Sequence, residues 1–306
     1  MKFGFRRKKQ NDSVNASTDE KRRPPVSVFL TGSGDPNALF SALPAGSEII
    51  AAQNIEHNNE QYPSLLLREA GSRAQGDYVL RASLPAAGDA AEFFASLPER
   101  SEELILFSKG QGERGAEDSG ILERILRREK KFHPSRFGYA LSADLYARSL
   151  PYIETLPQES AALAPLLLAK SAVFLNYSPF DGHRQESEAD VKICAETLVH
   201  FFNELKPRLD SLRYRFAFNY VCGKIIAAYA ALVHKSDREQ LRALDEFLKR
   251  ENLALRVAAD ERSPLAFIRS LRKKDFAPTL PARAAAAAVL FREKKNADIQ
   301  RRTPFS

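Results

Sequence analysis

The stretch "AQGDYVLRASLP", Ala74 to Pro85, decides the fold because it combines a turn with the start of a buried strand. Gly76 is a turn residue, and the run Tyr78 to Leu80 has the aromatic and aliphatic side chains that favour β-structure. The residues that follow are Arg-Ala-Ser-Leu-Pro. The stretch therefore predicts a strand over Tyr78–Leu80 that leads directly into a polar loop.

Three other apolar runs in the first half of the chain predict strands of the same sheet: Val26–Leu30, Glu48–Ala52 and Glu103–Phe107. Helices are predicted between and after them, at Asn37–Leu43, Ser64–Ala74, Ala90–Ser96 and Leu122–Lys131. Strands that alternate with helices indicate an α/β fold with a mostly parallel sheet flanked by helices on both faces.

The pattern changes near Glu186, after which apolar residues recur at helical spacing. The predicted helices are Val191–Leu205, Leu212–Val233, Arg238–Arg250, one that starts at Ser263-Pro264, and Ala282–Lys295. We therefore predict a basic tail over residues 1–25, an α/β domain over 26–185 and a helical region over 186–306.

Length and composition set limits on the class of protein. A chain of 306 residues with 44% hydrophobic content can bury a large core. Its two cysteines, Cys194 and Cys222, cannot form a disulfide framework and are expected to be free thiols in a reducing compartment. The longest apolar candidate, Leu209–Val233, contains charged residues, so we predict no membrane span and a cytoplasmic location.

The first 26 residues carry eight Lys or Arg against three acidic residues, a net charge of +5. No apolar segment follows these charges as it would in a secretory signal, and the polar composition predicts disorder. The tail is either simply solvated, or it is a weak electrostatic tether to the anionic inner face of the cell membrane. The rest of the chain has no basic stripe with interleaved aromatics, so no nucleic-acid partner is expected.

Several common site signatures are absent or lack their context. The sequence "GQGERG", Gly110–Gly115, has dinucleotide-motif spacing, but its acidic neighbours disfavour a bound pyrophosphate. No histidine pairs with another ligand at metal-site spacing, and no G-x-S-x-G or G-K-[ST] occurs.

Five segments follow one another in an order that is informative: "VSVFL", "EIIAAQN", "LREAGSRAQGDYVL", "FGYALSADLYARSLPYIETLPQES" and "AKSAVFLNYSPFDGHRQES". This order resembles glycosyltransferase family 2, inverting enzymes of the GT-A fold that act in cell-surface polysaccharide synthesis. Together they extend over about residues 26–240. The resemblance implies a GT-A-like sheet with a nucleotide-sugar as the ligand.

The sequence departs from the family pattern at the positions that bind the metal, contact the nucleotide and supply the base in that family. The metal-binding Asp-x-Asp corresponds to Ser83-Leu84-Pro85, which lacks the charged oxygen ligands that a divalent ion needs, so no metal is expected. The acid after the second strand corresponds to Gln53 or Asn54. The Glu-Asp pair that holds the catalytic base corresponds to Glu159-Ser160, and serine cannot take a proton near neutral pH.

The sequence is compatible with three functions. One is a catalytically degenerate glycosyltransferase-like protein, without a cofactor, that acts as a binding or scaffold partner of other surface-glycan enzymes. A second is an active, metal-independent glycosyltransferase in which Arg81 clamps the diphosphate and Glu159 serves as the base. In both cases the expected contacts to a nucleotide-sugar come from Gln53, Asn54, Arg81 and Ser83. A third possibility is a peripheral adaptor that uses only the basic tail and the helices.

Overall fold

The computed structural model describes residues 25–31, 37–51, 74–83, 90–107, 117–127, 138–153, 156, 160–176, 191–251, 253 and 266–302. The strands of the described part, in chain order, are β1 Val26–Thr31, β2 Glu48–Ala51, β3 Tyr78–Ser83, β4 Leu104–Phe107, β5 Glu117–Asp118, β6 Gly138–Ser142 and β7 Ala172–Leu175. The α-helices described are α1 Asn37–Ala42, α2 Ala90–Ser96, α3 Ile121–Leu126, α4 Ala143–Ile153, α5 Leu163–Leu168, α6 Val191–Leu205, α7 Ser211–Lys235, α8 Arg238–Arg250, α9 Ala266–Lys273 and α10 Leu280–Arg302.

The strands form one sheet in the order β2-β1-β3-β6-β4-β7-β5. β1 is parallel to both β2 and β3, and β4 is parallel to β7. β6 lies between β3 and β4 and is antiparallel to both, and β5 is antiparallel to β7 at the edge. The predicted fold class is confirmed: a mostly parallel sheet flanked by helices and followed by a helical region.

Both faces of the sheet are buried, and the side chains alternate between them as the period of two requires. On one face Val28, Leu80, Ile105 and Val173 join a cluster around Phe93 of α2. The opposite face contributes side chains such as Phe29, Val79 and Leu106 to a larger cluster that continues into helices as late as α10. The sheet is therefore sandwiched, and the C-terminal helices share the core of one of its faces.

The helix α7 is central to the helical region and packs against α6, α8 and α10. It begins at Asp210, whose carboxylate accepts hydrogen bonds from the backbone nitrogens of Leu212 and Arg213. It ends at Ser236, which adopts a left-handed conformation with φ of 61°. The next helix, α8, begins at Asp237, whose carboxylate accepts a hydrogen bond from the backbone nitrogen of Gln240. The C-terminal cap at Ser236 and the N-terminal cap at Asp237 therefore define a short, fixed corner between α7 and α8.

Most predicted elements are present with shifted ends. β3 continues three residues beyond the predicted Leu80, because Arg81, Ala82 and Ser83 stay paired with β1. α10 is longer than the predicted Ala282–Lys295 at both ends. The predicted helix Ser64–Ala74 lies outside the described residues except for Ala74, which is not helical, and so do the start at Ser263-Pro264 and the tail up to residue 24. The predicted boundary near residues 185–186 also lies outside them.

Candidate functional site

Three parallel strands reach the same level at their carboxyl ends. Leu30 of β1 pairs with Ala51 of β2 on one side and with Ala82 of β3 on the other, and Thr31 pairs with Ser83. In open α/β sheets, ligands bind outside the carboxyl ends of the strands. We define the carboxyl edge as this line of residues, Ala51, Thr31 and Ser83, and we take it as the candidate site.

The structure brings some of the predicted site residues to this edge. Arg81 lies opposite Phe29 and Ser83 lies opposite Thr31, both within the extended β3. Gln53 and Asn54, the other two predicted contacts, lie outside the described residues.

Ser160, which the sequence resemblance places at the position of the family's base, is a buried hydroxyl. Ser160 is fully buried, and its Oγ lies 3.2 Å from the Oη of Tyr220 on α7. Tyr220 lies seven residues, about 10 Å, along α7 from Arg213, whose guanidinium donates to the carbonyl of Ala169. Ser160 thus serves the contact between the α/β part and α7. Glu159 itself lies outside the described residues.

The amino ends of the same strands are joined by a polar network that the sequence did not reveal. The Glu48 carboxylate accepts hydrogen bonds from the Ser27 hydroxyl and, at 2.5 Å, from the backbone nitrogen of Gln75. The Ser27 Oγ accepts in turn from the backbone nitrogen of Gly76 at 2.7 Å. This network fixes the entry to β3 against β1 and β2, and so it sets the level at which the three strands end.

Tyr78 begins β3, and its side chain has a structural role. Its hydroxyl donates to the carbonyl of Glu102 at 2.8 Å. Burial, followed by the nearby charge of Glu102, raises the pKa of Tyr78 to about 12. The phenol therefore remains protonated at physiological pH and locks β3 to the segment that precedes β4.

A second buried polar cluster lies among the helices, away from the sheet. Asp245 of α8 is 1% exposed and accepts hydrogen bonds from Tyr229 Oη at 2.8 Å and Arg272 Nε at 2.7 Å. Lys249 Nζ lies 2.9 Å from its other oxygen. Burial acts to raise the pKa of Asp245, but hydrogen bonds from Lys249, Tyr229 and Arg272 outweigh it and hold that pKa below its usual range.

The remaining reactive side chains in the described part of the chain give no second site. Neither Cys194 nor Cys222 forms a disulfide, as predicted, and burial raises the pKa of the Cys222 thiol to about 11, which suppresses the reactive thiolate. Among the residues that the structure describes, no group of three or more His, Cys, Asp or Glu side chains lies close enough together to hold a metal ion.

One helix of the described part, α7, has the length and composition of a membrane span, and it overlaps Leu209–Val233, the segment for which the charged residues predict no span. Half of its 18-residue window is buried within the protein. A core helix meets the same two criteria, so this observation is only weak support for a span.

A scan against protein-family models finds no match, and a search of curated proteins finds none either. Among solved structures, the chain is similar to the crystal structure of residues 1–349 of TarS from S. aureus, with 13% sequence identity and a TM-score of 0.49. The match covers 88% of this chain and 91% of that chain.

Proposed function

We propose that this protein is a glycosyltransferase-like component of cell-surface polysaccharide assembly that has lost catalysis and acts by binding. Its partners are then other surface-glycan enzymes, and its place is the cytoplasmic side of the membrane. The observation that carries the proposal is the carboxyl edge, where Ser83 ends β3 opposite Thr31 and is followed by Leu84 and Pro85. Family 2 enzymes, which the sequence resembles, have a pair of metal-binding aspartates there.

The chemistry of sugar transfer explains why these substitutions matter. A leaving diphosphate needs a counter-charge, which a metal ion usually supplies, and a metal contributes several kcal/mol of transition-state stabilisation. A serine hydroxyl and a proline cannot hold that ion. The burial of Ser160 against Tyr220 supports the same conclusion at the base position.

The nucleotide-sugar remains the proposed ligand, because the edge keeps groups suited to a diphosphate. An arginine binds phosphate oxygens through its planar guanidinium without any metal, and Arg81 lies two residues before the end of β3. Gln53 and Asn54 follow β2 and supply hydrogen-bonding amides. The same Arg81 supports the second candidate function, metal-independent transfer with Glu159 as the base.

Calorimetry with a panel of uridine-diphosphate-sugars tests the ligand. We expect any affinity to be the same with Mg²⁺, with Mn²⁺ and with a chelator, and to fall in Arg81→Ala but not in the surface control Arg127→Ala. Affinity that vanishes with the chelator would show that a metal site exists and that the correspondence of Ser83-Leu84-Pro85 to the aspartates is wrong.

A cellular glycan assay separates the two functions. If the protein acts by binding, Glu159→Gln preserves the glycan, as does the exposed control Glu246→Gln. If Arg81→Ala and Glu159→Gln both abolish the glycan while the variants fold and retain their partners, the site is catalytic and the second function is correct.

A further inference from the structure

The last described helix, α10, has apolar residues on two opposite faces. One face is buried: Ala282 and Ala286 are 4% and 0% exposed, and Val289 packs against the main core. The other face is exposed although it is equally apolar. Leu280 is 84% exposed and Phe291 is 69% exposed, which makes them the two most exposed large hydrophobic side chains of the described residues.

The helical geometry places these two side chains on the same line. Eleven residues separate Leu280 from Phe291, which is three turns with an offset of about 20° and a distance of about 16 Å. Between them lie the exposed alanines Ala284, Ala287 and Ala288. We call this line the outer face of α10, and nothing in the described part of the chain covers it.

Basic residues border the outer face. Arg283, Arg292 and Lys295 are exposed, and at 100° per residue they flank the line from Leu280 to Phe291 on both sides. Arg283 donates to the hydroxyl of Ser236 at 3.0 Å, and this partner is neutral. An apolar line with cations on both sides is the composition of a helix that lies in a membrane interface.

The charge of the surrounding segment selects the partner. Residues 266–302 contain ten Lys or Arg and three acidic residues, Asp275, Glu293 and Asp298, so their net charge is +7. Two copies of this face would bring like charges together, which disfavours self-association. An anionic bilayer satisfies both the cations and the apolar side chains.

We propose that the outer face of α10 is a membrane-docking surface, with Leu280 and Phe291 inserted among the lipid chains and Arg283, Arg292 and Lys295 on anionic headgroups. The helix lies parallel to the membrane plane, because its opposite face is fixed on the core of the protein. This surface is distinct from the carboxyl edge and does not depend on whether a nucleotide-sugar binds there.

Flotation of the full-length protein tests the proposal, with vesicles of phosphatidylcholine alone and of phosphatidylcholine mixed with phosphatidylglycerol. We expect binding to the mixed vesicles and a loss of about tenfold or more in partition for Leu280→Gln combined with Phe291→Gln. For Arg292→Gln combined with Lys295→Gln we expect a reduction of up to about fivefold per residue, on the mixed vesicles only.

The matched controls are exposed hydrophobic residues on other helices, Phe40→Gln and Ile193→Gln, which are 47% and 55% exposed in the native protein and should leave the partition unchanged. Equal partition of wild type and the Leu280/Phe291 variant overturns the proposal. It is also overturned if that variant changes the oligomeric state in sedimentation velocity without changing vesicle binding, since a second copy would then be the occupant. Unchanged far-ultraviolet circular dichroism verifies that each variant is folded.

Discussion

A methyl group on Gly76 would overlap the backbone nitrogen of Ser27 and lie 2.7 Å from the carbonyl carbon of Val26. Both are backbone atoms of β1, which is held in the sheet on both sides, so they cannot move aside at low cost. The close approach also allows the Gly76 nitrogen to reach Ser27 Oγ. Glycine is required here for space.

We therefore expect Gly76→Ala to destabilise the protein by about 1–3 kcal/mol, the usual cost of overpacking. The matched control is Gly223→Ala, where an added methyl group meets nothing within 4 Å on the exposed side of α7. That substitution should stabilise by about 0.5–1 kcal/mol, because alanine is the better residue in a helix. Urea unfolding monitored by circular dichroism measures both. Equal effects of the two substitutions would contradict the close approach at Gly76.

The sequence identified Gly76 as a turn residue, but it did not reveal the steric requirement for glycine. A glycine before a strand predicts a turn, whereas its requirement here depends on Ser27, which is 49 residues earlier in the chain. The network with Glu48 was equally hidden, because strand pairing alone brings Ser27, Glu48 and Gly76 together. Single-residue patterns report local preference, and contacts between distant segments require the sheet.

At the scale of elements, α7, α8 and α9 are joined by the Asp245 cluster. Tyr229 is on α7, Asp245 on α8 and Arg272 on α9, and all three meet at one buried carboxylate.

The removal of one partner of a buried ion pair leaves the others uncompensated. We expect Asp245→Asn to destabilise by about 3 kcal/mol near neutral pH. The loss of one hydrogen bond in Tyr229→Phe should cost about 1 kcal/mol.

The pH dependence of this effect follows from the lowered pKa of Asp245. A carboxyl whose folded pKa is depressed stabilises the protein fully above its unfolded pKa, about 3.9, and loses that stabilisation as pH falls through the folded value. The difference in unfolding free energy between wild type and Asp245→Asn should therefore stay constant from neutral pH to about 4 and narrow below it. Chemical unfolding across this range measures it, and a difference that does not narrow in acid would contradict the role of the charge.

Most elements could be predicted from hydrophobic pattern, but their partners could not. The strand runs Val26–Leu30 and Tyr78–Leu80 are apolar because both faces of the sheet are covered, and that signal is local. The antiparallel β6 between β3 and β4 has no such local signature. The end of β3 was misplaced because Arg81 and Ser83 are polar, and only their pairing with Phe29 and Thr31 keeps them in the strand.

At the scale of the whole molecule, charge is separated along the chain. Residues 1–26 carry +5 and residues 266–302 carry +7, so the total of +7 leaves −5 for residues 27–265. These charges could be counted from the sequence. The accompanying exposure of Leu280 and Phe291 could not, because an alanine-rich helix with scattered apolar residues does not reveal which side faces the core.

The tail provides the last prediction, which concerns two cationic segments acting on one anionic surface. Each basic residue near such a surface adds up to about 1 kcal/mol, and salt screens that attraction within about 10 Å at 0.1 M. We expect replacement of Arg6, Arg7, Lys8 and Lys9 by glutamine, in the full-length chain, to weaken binding to phosphatidylglycerol-containing vesicles and to reduce its salt dependence. Partition into phosphatidylcholine alone should not change.

Because the tail acts through charge and Leu280 and Phe291 act through burial of apolar surface, their effects should be independent. Combining the tail substitutions with Phe291→Gln should then multiply the two losses of partition, as expected for independent contributions. Flotation over a range of salt concentrations measures the electrostatic and the apolar contributions to vesicle binding in one series. If the tail substitutions leave the salt dependence at its wild-type value, the tail is merely solvated, and the membrane contact belongs to the outer face of α10 alone.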